Sequence, residues 1–104
     1  MYLVVFRNRK RADIDEARYD AEAMRMLELA SQQPGFISFK SYASDDGEVI
    51  ALSEWESEDA ARAWGKIAEH RVAQANGRSD YYASYTLFGC DNPRVHDFKA
   101  KDRM

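Results

Sequence analysis

Aromatic and β-branched residues crowd the start of the chain, where Tyr2 to Phe6 reads Tyr-Leu-Val-Val-Phe, and this predicts a first strand reaching about Arg9. Asp13 then offers an N-cap with Glu16 in capping-box register. Ile14, Ala17, Ala21, Met24 and Leu27, flanked by Met26 and Ala30, recur at helical spacing and predict the buried stripe of a helix. That helix should stop near Gln33, because Pro34-Gly35 cannot continue it. Phe36 to Ala43 reads as a second strand, Asp45-Asp46-Gly47 as a hairpin turn, and Glu48 to Trp55 as a third strand. Ser57 caps a further helix, whose first turn carries Glu58 and Asp59 where the helix dipole favours anions. Ala60, Ala61, Trp64 and Ile67 continue it, and Gly65 weakens its end. A separate helical segment from about Glu69 to Ser79 and a last strand from Tyr82 to Cys90 complete the order.

The order β-α-β-β-α-β is the split βαβ arrangement, which predicts an α+β, ferredoxin-like domain with an antiparallel sheet. Val49-Ile50-Ala51-Leu52 is apolar at successive positions, so the third strand should be covered on both faces. Helices cover one face, and a second copy of the chain is the economical cover for the other. A homodimer is therefore expected. The domain should occupy residues 1–91, and residues 92–104 should form a polar C-terminal tail, loose or wrapped on a partner.

A chain of 104 residues makes one domain with a modest core. A ligand pocket would consume much of its apolar lining unless a second subunit helps to build it. The net charge of −3 and the short basic run Arg7-Asn8-Arg9-Lys10-Arg11 at a strand end argue against a nucleic-acid partner. An RNA-recognition domain shares the element order, but the third strand lacks the aromatic stacking motif. The single cysteine, Cys90, excludes an internal disulfide, suits a reducing cytoplasm, and reads as a buried structural thiol. No apolar run approaches a membrane span or a signal peptide, so a soluble cytoplasmic protein without membrane contact is expected.

His70, Gln74, Gly77 and Tyr81 fall at i, i+4, i+7 and i+11. An imidazole, an amide, a glycine and a phenol on one helical face are poor core material and suit a pocket wall. Only two histidines are present, without metal-ligand spacing, so no metal site is expected. No phosphate loop or dinucleotide fingerprint appears. Trp64 lies on the helical stripe and is expected in the core, with its indole N–H free to face a ligand. Trp55, at the strand end, reads as packing or a dimer contact. Asn8 reads as a turn residue after the first strand, or as an amide that holds a substrate oxygen. Tyr81 and Tyr82 should point to opposite faces if the last strand has begun, which would bring one of them to the pocket.

The junction Gln33-Pro34-Gly35-Phe36, the run Ser53-Glu54-Trp55-Glu56-Ser57-Glu58-Asp59-Ala60, and the set Trp64, Glu69-His70-Arg71, Gln74, Gly77-Arg78 and Tyr81-Tyr82 resemble the antibiotic biosynthesis monooxygenase (ABM) domains of the dimeric α/β-barrel superfamily. The likeness covers about residues 2 to 91. It implies a ferredoxin-like subunit whose sheet packs against that of a second subunit. It further implies oxidation of a small hydroxylated aromatic or quinol by O₂, without metal or organic cofactor. On that resemblance His70 is the expected base, Trp64 and Tyr81 are aromatic walls, Asn8 and Arg78 bind the developing oxyanion, and Gln74 contacts substrate. A non-catalytic dimeric protein binding a small aromatic would use the same pocket. Haem binding or cleavage is a further alternative, but the haem-cleaving relatives place their iron-ligating histidine about where Gln74 stands, one helical turn after His70.

Overall fold

A computed structural model describes residues 1–74 and 80–101, with side chains of 69–74 outside that description. Its elements run β1 (Tyr2–Lys10), α1 (Glu16–Ser31), β2 (Phe36–Ala43), β3 (Val49–Trp55), α2 (Glu58–Gln74) and β4 (Tyr82–Asp91). The strands form one antiparallel sheet in the order β2-β3-β1-β4, which is the ferredoxin-like βαββαβ topology.

Local chemistry explains most boundaries. The hairpin between β2 and β3 closes where Gly47 takes φ +90° and donates its N–H to the Ser44 carbonyl. Asp46 locks that turn by accepting from the Glu48 N–H, the Ser44 hydroxyl and the Arg9 guanidinium. The Ser57 hydroxyl caps α2 by accepting from the Ala60 N–H at 3.1 Å. α1 is capped by Asp15, which accepts from the Arg18 N–H at 3.1 Å. Asp13, the expected cap, is held instead by the Arg11 guanidinium at 2.9 Å, which also keeps its carboxyl below the usual range.

Two further expectations are corrected. The buried side of α1 is not the stripe of Ala17, Ala21, Met24 and Leu27, which are exposed, Met24 to 68%. The helix is turned so that Tyr19, Met26, Leu29 and Ala30 face inward. Aromatic packing of Tyr19 on Tyr81 and Tyr82 accounts for that rotation, since small alanines offer less area to bury than one tyrosine. α2 runs unbroken through Gly65 to Gln74, so no separate helix opens at Glu69. A mid-helix glycine costs only about 1 kcal/mol, too little to stop a helix packed on a sheet.

The core gathers at one end of the sheet. Trp55 is fully buried among Ala30 and Ala61, with Tyr2, Val4, Phe36, Ala60 and Trp64 against it. Phe36 meets the Trp55 indole edge-on at 5.5 Å, and Trp64 stacks on it at 6.3 Å. Trp55 is thus a packing residue, and its Nε1 donates to the Ser53 hydroxyl at 3.0 Å.

Strand register separates the two faces of the sheet. Tyr2, Val4, Phe6, Asn8 and Lys10 share the helix side with their partners Trp55, Ser53, Ala51, Val49, Leu87, Tyr85 and Tyr82. Leu3, Val5, Ile50, Leu52, Phe88 and Cys90 share the opposite face, which neither described helix covers. Phe88 there is 43% exposed, and Cys90 is half-buried rather than enclosed. The arginines of the basic run at the end of β1 are neutralised locally, by the pairs Arg7–Glu48, Arg9–Asp46 and Arg11–Asp13. Beyond β4, Asn92 to Lys101 carry no regular secondary structure, and Val95 and Phe98 are exposed. Among the described residues no helix is long and apolar enough to cross a membrane.

Candidate functional site

At the end of the sheet opposite Trp55, the helix side is lined by aromatic rings. Phe6 meets Tyr82 at 5.4 Å and Tyr85 at 5.3 Å. Tyr82 continues to Tyr85 at 5.8 Å and to Tyr19 of α1 at 6.3 Å. Tyr19 in turn meets Tyr81 edge-on at 5.3 Å. Four phenols and a phenyl ring are thus supplied by β1, β4, the helical residue just before β4 and α1. Burial, followed by the neighbouring Tyr19 phenol, pushes the Tyr82 hydroxyl well above the ordinary tyrosine range, so it stays protonated.

Polar groups are set into this apolar wall. Asn8 is only 5% exposed; it lies inside β1, opposite Val49 and Tyr85, and is not a turn residue. Its Nδ2 donates to the Val49 carbonyl at 3.4 Å and its Oδ1 accepts from Lys10 Nζ at 3.2 Å. The same Lys10 ammonium sits 4.7 Å from the centre of the Tyr19 ring. Tyr81 is 4% exposed, and its hydroxyl is buried without a hydrogen-bond partner among the described residues. Tyr81 and Tyr82 do not diverge to opposite faces. Tyr81 is still helical, β4 begins one residue later, and both rings reach Tyr19.

Two clefts flank these rings. One of about 360 Å³ is lined by Lys10, Arg11, Ala12, Ile14, Glu16, Tyr19 and Asp20. The other, of about 200 Å³, is bridged by the ion pairs Arg11–Asp13 and Arg18–Asp80. The first leads to Lys10 and Tyr19; the second is closed by charge pairing.

Of the residues expected at a site, Asn8 and Tyr81 lie in or beside the aromatic wall. Trp64 stacks on Trp55 and so belongs to the core at the other end of the sheet. α2 starts beyond Trp55, and the backbones of His70 and Gln74 lie further along it than Trp64. At about 1.5 Å per residue the backbone of His70 lies roughly 9 Å further along the helix. The side chains of His70 and Gln74, and Gly77 and Arg78 altogether, lie outside the described residues. Among the described residues no group of His, Cys, Asp and Glu could hold a metal.

Sequence reasoning passed over Phe6, Lys10, Tyr19 and Tyr85 as wall residues, and offered Tyr82 only as the alternative to Tyr81. Lys10 was within reach, because it stands two residues from Asn8 on the same face of a strand. Tyr19 carried no such signal, since it lay off the expected helical stripe.

The chain is 38% identical over 86 residues to YqjZ, an uncharacterized protein of Bacillus subtilis, covering 83% of this chain and 74% of that one. Its fold is similar to that of Rv0793 from Mycobacterium tuberculosis, with a TM-score of 0.74, 18% identity, and coverage of 92% of this chain and 98% of that one. SnoaB, a cofactor-independent oxygenase from Streptomyces nogalater, matches with a TM-score of 0.69 and 15% identity over 90% of this chain and 94% of its own. The family profile described as antibiotic biosynthesis monooxygenase matches residues 1–76, most of the sheet and both helices, and the chain belongs to that family.

Proposed function

We propose that this protein is a cofactor-independent monooxygenase that oxidises a small hydroxylated aromatic or quinol with O₂, acting as a homodimer. The observation that carries the reading is the wall of Phe6, Tyr19, Tyr81, Tyr82 and Tyr85 beside the buried Asn8 amide. Flat aromatic substrates stack against such rings, and a convergent amide and phenol orient their oxygens. Family membership and the fold shared with SnoaB, itself a cofactor-independent oxygenase, support the same chemistry.

In this mechanism His70 removes a proton from a phenol or acidic C–H, leaving an anion electron-rich enough to pass an electron to O₂. For a methylene substrate the radical pair combines, and the hydroperoxide loses water to leave a carbonyl. One oxygen atom enters product and the other leaves as water. Asn8 and Arg78 stabilise the developing oxyanion, and Gln74 and Tyr81 contact the substrate, while Trp64 stays in the core against Trp55. The dimer forms through Leu3, Val5, Ile50, Leu52 and Phe88, an apolar sheet face that needs cover.

The test is oxygen uptake by the purified protein with anthrones, quinols and simple phenols. Uptake should require the aromatic and fall at least about 100-fold in His70→Ala, the usual scale of a lost general base. Unchanged uptake in that variant would remove His70 from its role. Binding of the same aromatics without oxygen consumption would replace the oxygenase by a ligand-binding protein.

A further inference from the structure

We propose that Lys10 is the anion-binding residue of the cleft between the end of β1 and α1, and that this cleft takes its ligand as a planar aromatic anion. This rests on reading the helix side of the sheet, where the cleft meets the aromatic wall at Tyr19, as the substrate site.

Lys10 is half-buried on the helix side of β1, at the bulge where the register with β4 shifts between Arg9 and Lys10. The bulge re-aims the side chain under α1. Its ammonium donates to Asn8 Oδ1 at 3.2 Å and rests on the Tyr19 ring at 4.7 Å. Its neighbours in the basic run are matched with carboxylates: Arg7 with Glu48, Arg9 with Asp46, Arg11 with Asp13. Lys10 makes no ion pair among the described residues, although Glu16 and Asp20 line the same cleft. Among the described residues the contacts of this half-buried cation are a neutral amide and a π face, and an anion placed against it regains part of what desolvation costs.

Asn8 fixes the geometry. Because its Nδ2 is committed to the Val49 carbonyl, its Oδ1 faces Lys10 and orients the ammonium. Two of the three ammonium protons remain for a ligand oxygen. Tyr19 supplies a ring surface beside that charge, so a flat ligand carrying its negative charge at one edge meets both at once. The phenolate or enolate of a hydroxylated aromatic has this form, as does an aromatic carboxylate.

The experiment is calorimetric titration of the full chain with 2-naphthoate and with 2-naphthamide, equal in shape and different in charge. Wild type should bind naphthoate at least about tenfold more tightly, the scale of one charge-assisted hydrogen bond. Lys10→Met should erase that preference while leaving naphthamide binding within about twofold, and Lys10→Arg should keep most of it. Equal binding of the two probes by wild type overturns the proposal without needing any variant to fold. Failure of wild type to bind either probe, or a preference that survives Lys10→Met, overturns it as well. Oxygen uptake is read separately: uptake without charge preference sinks only the role of Lys10, and charge preference without uptake sinks only the oxygenase.

Discussion

A Cβ built on Gly35 would lie 2.6 Å from the Cβ of Ala60, so the junction after α1 touches the first turn of α2 with no room for a side chain. Gly35 also takes φ +85°, and its carbonyl accepts from the Glu56 N–H at 2.8 Å, tying the junction to the end of β3. Gly35→Ala should therefore destabilise the fold by about 2–5 kcal/mol, from left-handed strain and overpacking together. Gly47, at φ +90°, has open space around it, and Gly47→Ala should cost only the strain, about 1–2 kcal/mol. Urea denaturation of the two variants checks the difference, and equal losses would deny the contact with Ala60 its importance.

Tyr81 buries a hydroxyl that finds no partner among the described residues, a feature that costs stability unless a ligand completes it. Tyr81→Phe should accordingly stabilise the ligand-free protein, by about 1 kcal/mol, while weakening capture of a hydroxylated aromatic. Thermal melts paired with binding titrations decide the matter. A destabilised Tyr81→Phe would mean that the hydroxyl is already satisfied in the free protein.

Asp46 sets an acid limit on the β2–β3 hairpin. The Ser44 hydroxyl, the Glu48 N–H and Arg9 all favour its ionised form and hold its carboxyl far below the usual carboxylate range. A depressed folded value means that the stabilisation is fully present above the unfolded carboxylate value and is lost as pH falls towards the folded one. The stability difference between wild type and Asp46→Asn should stay level from about pH 7 to about pH 5 and shrink as pH falls below the unfolded carboxylate value of about 4. Denaturant melts across that range test it, and a difference that grows on acidification would reverse the sign.

The helix-free sheet face should be an interface. Val5 lies between Leu52 and Phe88 across the strands, and a charge at its centre would have no partner in a closed pair of sheets. Leu52→Glu should turn a sedimenting dimer into a folded monomer, with circular dichroism retained. A wild-type chain that sediments as a monomer would remove the dimer from the proposed mechanism.

Much of this architecture was legible in residue order. The Asp45-Asp46-Gly47 turn, the Ser57 cap, the Pro34-Gly35 stop and strands of high β propensity are local signals, decided within a few residues by backbone sterics and short hydrogen bonds. They determine which segments become strands and helices, and hence the βαββαβ order. Period-two patterning also separates the apolar positions of β1 and β3 between two faces.

Tertiary contacts decided the rest. Asp15 rather than Asp13 caps α1 because Arg11 claims Asp13, a competition between neighbours that spacing alone does not rank. The rotation of α1 follows Tyr19, whose ring finds Tyr81 and Tyr82 some sixty residues away in sequence. That encounter assembles the aromatic chamber and sets Lys10 beside Asn8 beneath a phenol. Local preference chooses the elements because it acts over a few residues; the chamber depends on which distant side chains share a volume, and only the packed chain settles that.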